Sequence, residues 1–213
     1  MRDFDAVIFD LDGVICYTDE YHYQAWKTMA DSIGVSFDRE INNRLRGVSR
    51  MASLDIVLEK YHGELSEAEK EELADQKNEI YKKLLAQMSP ADLSDEVKST
   101  LDELRRRGYQ LAIGSSSKNA PFILRQIGLG EYFDAVSDGN NITRSKPDPE
   151  VFEKAAKMLW VGAKRCLVVE DAVSGAEAAH KGGMKAACVG DASRAGAGDY
   201  NMKSVKDLLE ILP

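Results

Sequence analysis

Five short, uninterrupted apolar runs recur along this sequence, and the intervals between them are long enough to hold helices. The runs cover residues 6–9, 111–113, 135–136, 166–169 and 186–189. Strands buried on both faces of a parallel sheet form continuous apolar runs, whereas half-exposed strands alternate. This pattern predicts an α/β fold with a doubly wound parallel sheet, in which ligands bind at the carboxyl ends of the strands.

The alternation of strands and helices stops between residues 17 and 88. No strand-like run occurs there, and four amphipathic helical stretches follow one another. The last of them opens on Ser66–Glu67–Ala68–Glu69, which is a capping-box sequence. We therefore expect an all-helical cap domain over 17–88, inserted into an α/β core domain made of 1–16 and 89–213.

Composition excludes several classes of protein. The net charge of the 213 residues is −8, which argues against a nucleic-acid surface because such surfaces need clustered Lys and Arg. The longest stretch without Asp, Glu, Lys or Arg is Gly108–Ser117, about half of a membrane-spanning helix. Three widely spaced cysteines fit neither a disulfide framework nor a zinc site. These features predict a cytoplasmic protein, and nothing demands more than a monomer.

Two acidic pairs follow predicted strands. Asp10 and Asp12 come directly after the first strand, ahead of Gly13, and Glu170 and Asp171 come after the fourth. Adjacent carboxylates repel one another unless a cation binds them, and an oxygen-only ligand set suits Mg²⁺. The alternative is that the aspartates form ordinary turns and cap helices. Two pairs at one rim of a sheet favour a metal site.

The loop after the second long strand and a single lysine suggest a place for a phosphate. Residues 114–119 read Gly-Ser-Ser-Ser-Lys-Asn, and hydroxyls with backbone N–H groups at the start of a helix bind anions. Lys146 precedes Pro147–Asp148–Pro149 just before another predicted helix. A cation there could neutralise a transferring phosphoryl group, although a solvated surface lysine is the common alternative.

In order, Asp10–Leu11–Asp12, Ser115, Lys146 and Glu170–Asp171 resemble the four motifs of the haloacid dehalogenase (HAD) superfamily. The resemblance spans nearly the whole core and implies an HAD-like Rossmannoid sheet. It implies that Asp10 is a nucleophile that forms an aspartyl phosphate and that Asp12 is the general acid/base. Mg²⁺ would be held by Asp10, Glu170, Asp171 and the carbonyl of Asp12. One departure is Trp160, which stands where members of the superfamily commonly have glycine.

Two cap residues interrupt apolar stripes. His22 shares a helical face with Trp26 and Met29, and Lys77 lies in the stripe Leu73, Lys77, Ile80 and Leu84. A packed core histidine and a snorkelling lysine are the alternatives to a functional role. The resemblance implies that both side chains face Asp12 and the sugar. It implies a wider binding set: Thr18, His22, Arg46, Gly47, Arg50, Lys77, Ser115, Ser116, Ser117, Lys118, Asn119 and Lys146.

Within that set, the resemblance assigns Arg50, Ser117, Lys118 and Asn119 to a phosphate that is not being transferred. Two phosphate sites imply a mutase that takes a small phosphorylated sugar, β-D-glucose 1-phosphate, to the 6-phosphate through a 1,6-bisphosphate. The alternative is a sugar-phosphate phosphatase built from the same motifs, in which Asp12 activates water. If Arg46 and Arg50 are plain surface charges, the second site disappears. A third hypothesis is a sugar-phosphate-binding protein without catalysis.

Overall fold

The computed structural model describes residues 2–213, which divide into two compact units. One unit contains the chain up to Tyr17 together with Ser89–Pro213, and the other is Thr18–Met88. No helix among the described residues is both long and apolar enough to cross a membrane.

The sheet of the first unit has six parallel strands, which confirms the predicted fold class. They are β1 (Ala6–Phe9), β2 (Gln110–Gly114), β3 (Ala135–Ser137), β4 (Cys166–Glu170), β5 (Lys185–Cys188) and β6 (Tyr200–Asn201). Their order is β3-β2-β1-β4-β5-β6. The winding direction reverses between β1 and β4, and ligands of such sheets bind beyond the carboxyl ends of the strands at that point.

The described residues form ten α-helices. Those of the second unit are α1 (Asp19–Ser32), α2 (Arg39–Asn43), α3 (Arg50–Val57) and α4 (Glu67–Leu85). Those of the first unit are α5 (Asp95–Arg106), α6 (Ala120–Gln126), α7 (Glu150–Met158), α8 (Val173–Lys181), α9 (Gly190–Arg194) and α10 (Leu208–Ile211).

Both faces of the sheet are covered, which explains the uninterrupted apolar runs. Ile8, Ala112 and Val168 belong to one buried cluster with the apolar residues of α7 and α8. Side chains alternate along a strand, so Val7 and Leu111 point to the opposite face, and both are fully buried. Helix α5 contacts β2 there. A polar residue inside these strands would be buried without a partner.

Register brings the ends of three strands to one level. Phe9 of β1 lies opposite Ile113 of β2 and Val169 of β4. The alignment of β1 with β4 continues one residue further, where the N–H of Asp10 donates to the carbonyl of Val169 at 2.9 Å. The residues that follow the three strands therefore emerge at the same edge of the sheet.

The second unit is all-helical, as predicted. Helix α1 packs along α4, and Trp26, Met29 and Leu54 lie in its buried cluster. The predicted capping box at the start of α4 is confirmed. The N–H of Ser66 donates to Glu69 Oε2 at 2.8 Å, and the N–H of Glu69 donates to Ser66 Oγ at 3.3 Å.

A short sixth strand lies at the edge of the sheet near the end of the first unit. After the glycines and alanines of 195–198, the chain continues into β6, which pairs with β5. The N–H of Gly198 donates to the side chain of Asn201 at 3.1 Å, and the Asn201 amide donates back at 3.0 Å. A two-residue strand has no apolar run, and its register comes from these local hydrogen bonds.

A strained residue follows the end of helix α7. Trp160 has φ +57°, although its indole is 95% exposed. The N–H of Val161 donates to the carbonyl of Ala156 and that of Trp160 to Lys157, as in helix ends that favour glycine at this position. Glycine, which the superfamily resemblance leads us to expect at this position, would adopt this φ without the steric cost of a Cβ.

Replacing Trp160 by glycine is expected to raise the free energy of unfolding by about 1 kcal/mol, because the strain is relieved and little packing is lost. Urea unfolding measures the change. The W160A variant is the matched control, since it removes the indole but keeps the Cβ and should stay close to wild type. Equal stability of W160G and W160A would contradict the explanation.

Candidate active site

Three carboxylates converge at the edge of the sheet where β1 and β4 end. Asp10, Glu170 and Asp171 each place an oxygen within 4.8 Å of the others. Asp10 and Glu170 are buried and Asp171 is partly exposed. The sequence predicts this convergence correctly, because both acidic pairs follow neighbouring parallel strands.

Lys146 lies between two of these carboxylates. Its ammonium contacts Asp10 Oδ1 and donates to Glu170 Oε1 at 2.5 Å, and only 2% of its side chain is exposed. Burial alone would lower the pKa of Lys146, but the two carboxylates raise it above its ordinary value. Lys146 is therefore a buried cation of the site and not a solvated surface lysine.

The negative charge of the cluster exceeds what one ammonium can balance. Burial raises the pKa of Asp10 well above its ordinary value; Lys146 opposes this change, and the carboxylates of Glu170, Asp12 and Asp171 add to it. A divalent cation would remove this cost, and an all-oxygen ligand set fits a hard ion. The three carboxylates thus fit a divalent metal.

Two glycines leave room for the acidic side chains. A Cβ at Gly175 in α8 would overlap the carboxylate of Glu170, and a Cβ at Gly13 would overlap that of Asp171. Gly13 also has φ +89°. Both positions therefore require glycine, by space and, at Gly13, by backbone conformation.

The helix-capping alternative for Asp171 does not match the start of α8. The residue that precedes the helix is Ala172, and it makes no side-chain cap. Glu170 Oε2 instead accepts hydrogen bonds from the N–H groups of Asp171 and Ala172 at 2.9 and 3.0 Å. These bonds fix the Glu170 carboxylate, whose other oxygen faces Lys146.

The serine-rich loop after β2 is held by its own hydroxyls. Ser115 Oγ accepts from the N–H of Ser117, and Ser117 Oγ accepts from the N–H of Asn119, both at 3.1 Å. Ser116 Oγ is buried and has no hydrogen-bond partner among the described residues. Lys118 is exposed at the start of α6. The loop thus combines an unpartnered hydroxyl with a nearby cation, as an anion site needs.

A second loop supports the serine-rich loop, and its role was not predicted from the sequence. After β3, a Cβ at Gly139 would lie 2.5 Å from the Ser116 carbonyl, and the Asn140 amide donates to the Lys118 carbonyl at 2.9 Å. The buried Asp138 accepts from the N–H of Asn140 at 2.8 Å. The available signal was the turn sequence Asp-Gly-Asn-Asn directly after a strand.

The loop that carries Lys146 is organised by Glu150 at the start of α7. The Glu150 carboxylate accepts from the N–H and the hydroxyl of Thr143 and from the N–H of Arg144 at 2.8–3.2 Å. Lys154 lies 2.8 Å from the same carboxylate. Lys146 follows two residues after Arg144 and precedes a cis peptide bond to Pro147. Glu150 could not be identified from the sequence, because a glutamate in a first helical turn is common.

The Glu150 contacts predict a pH-dependent stability difference. The Lys154 ammonium and the donors of the loop lower the pKa of Glu150 from 4.5 to about 2. A depressed folded-state pKa stabilises above the unfolded value and loses that contribution as pH falls from about 4.5 toward about 2. The E150Q variant should therefore unfold at a lower temperature than wild type at neutral pH, with the difference shrinking in that acidic range.

Thermal unfolding of wild type and E150Q across pH measures this effect. E153Q is the matched control, because Glu153 lies on the same helix and is exposed. A difference between E150Q and wild type that stays constant down to pH near 2 would contradict the ion-pairing explanation.

In the helical unit, the two interrupted stripes meet. Lys77 Nζ lies 3.0 Å from His22 Nδ1, and Lys77 is 4% exposed. The His22 ring stacks on Tyr81 with centroids 4.1 Å apart. Burial lowers the pKa of His22 well below its ordinary value, and the charge of Lys77 lowers it further. The lysine therefore does not snorkel to solvent.

The other predicted binding residues of this unit are Thr18 before α1, Arg46 and Gly47 in the turn between α2 and α3, and Arg50 at the start of α3. Thr18 is buried, and its carbonyl accepts from the N–H of His22. Arg46 lies 3.5 Å from Asp19, and Gly47 has φ +72°. Arg50, the first residue of α3, lies 3.4 Å from Asp75. Arg46 and Arg50 thus each have an acidic neighbour within this unit.

Comparisons with known proteins agree with this geometry. The family model of haloacid dehalogenase-like hydrolase matches residues 4–183. The β-phosphoglucomutase of Bacillus subtilis is 40% identical over 97% of this chain and 93% of its own length. The fructose-1-phosphate phosphatase of Escherichia coli is 32% identical over 86% of this chain and 95% of its own.

A solved structure extends the comparison to the fold. The β-phosphoglucomutase of Clostridium difficile superposes with a TM-score of 0.90 at 35% identity, covering 96% of this chain and 93% of that one.

Proposed function

The chain belongs to the haloacid dehalogenase-like hydrolase family, and we propose that it is a β-phosphoglucomutase. It would interconvert β-D-glucose 1-phosphate and β-D-glucose 6-phosphate in the cytoplasm, as a monomer. The observation that carries the proposal is the 40% identity to a β-phosphoglucomutase along nearly the whole chain. The second unit, with boundaries near residues 17 and 88, would be its substrate-selecting cap.

The chemistry follows from the surroundings of Asp10. Its carboxylate attacks a phosphorus of glucose 1,6-bisphosphate, the P–O bond to the sugar breaks, and Asp12 protonates the departing sugar oxygen as Asp10 becomes an aspartyl phosphate. Lys146, in contact with Asp10 Oδ1, offsets charge on the phosphoryl oxygens. Asp12 then takes the proton of a sugar hydroxyl, which attacks the phosphoryl group. The resulting glucose 1,6-bisphosphate returns its other phosphate to Asp10, and the product leaves.

The metal of the proposal is Mg²⁺. Asp10, Glu170, Asp171 and the carbonyl of Asp12 would hold it, and the carboxylates lie within 4.8 Å of one another. When bound, the ion supplies positive charge to the phosphoryl oxygens. Glu170 is fixed for this role by two backbone N–H groups, so the chain presents its ligands without rearrangement of β4.

Holding the second phosphate requires residues other than the nucleophile. Ser115 and Ser116 would serve the transferred phosphoryl group, and Ser117, Lys118 and Asn119 the other one. In the cap, Arg50 would bind the same phosphate as Lys118, because a guanidinium can hold phosphate through two parallel hydrogen bonds. Thr18, Arg46 and Gly47 would line the part of the cap next to this phosphate. His22 and Lys77 would face the sugar and Asp12.

A phosphatase is the second candidate, and the Escherichia coli relative, a fructose-1-phosphate phosphatase, favours it. The same Asp10, Lys146 and carboxylates would form the aspartyl phosphate, and Asp12 would activate water instead of a sugar hydroxyl. The two functions differ in what accepts the phosphoryl group. A grip on a second phosphate is needed only by the mutase.

Replacing Arg50 by alanine is expected to lower isomerisation of β-D-glucose 1-phosphate by roughly ten- to hundredfold, since one charged phosphate contact is lost. p-Nitrophenyl phosphate has a single phosphate and does not need the second phosphate grip. Its hydrolysis by R50A should therefore stay within about threefold of the wild-type rate. R44A is the matched control, because Arg44 is an exposed arginine of the same unit paired with Glu59 at 2.5 Å. Equal losses in both assays for R50A would contradict the assignment.

A further inference from the structure

A buried lysine, a histidine and two aromatic rings form a compact group in the helical unit. Lys77 Nζ lies 3.0 Å from His22 Nδ1, 4.3 Å from the centroid of the Tyr81 ring and 4.9 Å from that of Trp26. The His22 and Tyr81 rings stack at an interplanar angle of 29°. Each member of the group therefore restricts the orientation of another.

Two aromatic faces favour the charged state of Lys77. Burial by itself favours a neutral amine, but the negative faces of Trp26 and Tyr81 attract an ammonium and are strongest when water is excluded. Two rings within 5 Å of one nitrogen therefore favour the charged form. An ammonium has three N–H donors and no acceptor.

The contact between Lys77 and His22 can then have only one direction. Because the ammonium donates, Nδ1 of His22 must accept and must lack a proton. A doubly protonated imidazolium has no acceptor nitrogen and would repel the ammonium. A neutral imidazole with a bare Nδ1 carries its proton on the other ring nitrogen.

We propose that Lys77 fixes His22 as the neutral tautomer with its proton on Nε2, so that both side chains act as hydrogen-bond donors. Such a pair selects a ligand group that accepts hydrogen bonds, namely an oxygen with free lone pairs. The neutral state agrees with the lowered pKa of His22. Trp26 and Tyr81 are positioning residues, since they hold the ammonium that sets the tautomer.

The consequence for substrate choice rests on the proposed function. A sugar phosphate presents hydroxyl and ether oxygens, which accept hydrogen bonds from Nε2–H and from the ammonium. A histidine with its proton on Nδ1 would offer an acceptor at Nε2 and would favour a ligand N–H or a donating hydroxyl instead. The tautomer therefore determines which polar groups this part of the cap accepts.

Long-range ¹H–¹⁵N correlation spectra of the ¹⁵N-histidine-labelled protein at neutral pH test the tautomer directly. Wild type should show a protonated-type Nε2 and a bare-type Nδ1 for His22, assigned with H62Q and H180Q variants. In K77M the ammonium is lost, and the Nδ1 signal should move toward the average of mixed tautomers. The control K83M removes an exposed lysine of the same helix and should leave the His22 signals unchanged.

A protonated Nδ1 in wild type, or an unchanged Nδ1 signal in K77M, would overturn the proposal. If K77M does not fold, the wild-type spectrum alone decides. This measurement needs no substrate, so absence of mutase activity would refute the proposed function and leave the tautomer assignment standing.

An activity measurement tests the donor role. Glutamine places an amide N–H near the position of Nε2, whereas asparagine places one near Nδ1. The kcat/KM of H22Q should therefore be at least about tenfold higher than that of H22N, because the loss of one hydrogen bond worth about 1.4 kcal/mol corresponds to a factor of ten. Equal kcat/KM for the two variants, or a more active H22N, would contradict the assignment of the donor to Nε2.

Discussion

Replacing Asp10 by asparagine is expected to lower phosphoryl transfer by at least about 10⁴-fold, the scale found when a covalent nucleophile is removed. The amide has nearly the same shape as the carboxylate, so the fold should persist. Lys146 keeps its partner Glu170 at 2.5 Å, and the variant has one buried negative charge fewer. Loss of transfer without loss of structure would therefore identify a nucleophile.

The two readouts for D10N are turnover of the sugar phosphate and the amount of covalent phosphate on the protein that hydroxylamine releases. Both should disappear, while the thermal unfolding midpoint changes little. D102N is the matched control, because Asp102 is an exposed carboxylate paired with Lys98 and should leave both readouts unchanged. A D10N enzyme that still carries covalent phosphate would show that another residue is the nucleophile.

Replacing Lys146 by methionine is expected to destabilise the fold by about 3–5 kcal/mol, because two buried carboxylates lose their counter-charge. The Asp10 and Glu170 oxygens contact Lys146, whose side chain is 2% exposed, so water cannot replace the ammonium easily. Methionine keeps the length of the side chain, which confines the change to its charge. Phosphoryl transfer should fall by about 10³-fold or more, since a charge at the reacting phosphoryl group is removed.

Urea unfolding measures the stability of K146M, and the isomerisation assay measures its transfer. K157M is the matched control, since Lys157 is exposed near the end of α7 and such surface changes stay within about 0.5 kcal/mol. A K146M variant as stable as wild type would contradict the buried ion-pair geometry. A stable variant with normal transfer would also contradict the catalytic role of the ammonium.

The core of the site could be predicted from sequence because the topology of a parallel sheet fixes the edge at which the acidic residues emerge. Parallel strands end at one edge, so an acidic pair after the first strand and another after the fourth had to lie together. The position of Lys146 before a predicted helix made it a candidate, and only the resemblance to a family distinguished it from a surface lysine. Its burial depends on a loop fixed by Glu150 and on partners 136 and 24 residues away, which no local pattern shows.

Other elements depended on contacts that leave little trace in the sequence. Strand β6 is two residues long and pairs through backbone groups, so apolar periodicity could not indicate it. The turn at Asp138–Gly139 supports the serine loop by backbone fit, and any polar turn would give the same pattern. In the helical unit, Lys77 stands out in the sequence because it interrupts an apolar stripe. Trp26 and Tyr81, whose rings contact its ammonium, have the sequence pattern of ordinary core residues.

A mutase passes the phosphoryl group on Asp10 to a sugar and not to water. The most direct measurement is a coupled assay of β-D-glucose 1-phosphate conversion to glucose 6-phosphate with Mg²⁺, with and without added glucose 1,6-bisphosphate, alongside release of inorganic phosphate. Bisphosphate should accelerate formation of glucose 6-phosphate, and the amount of this product should far exceed that of released phosphate. Release of inorganic phosphate matching all substrate consumed, with no glucose 6-phosphate formed, would contradict the mutase function.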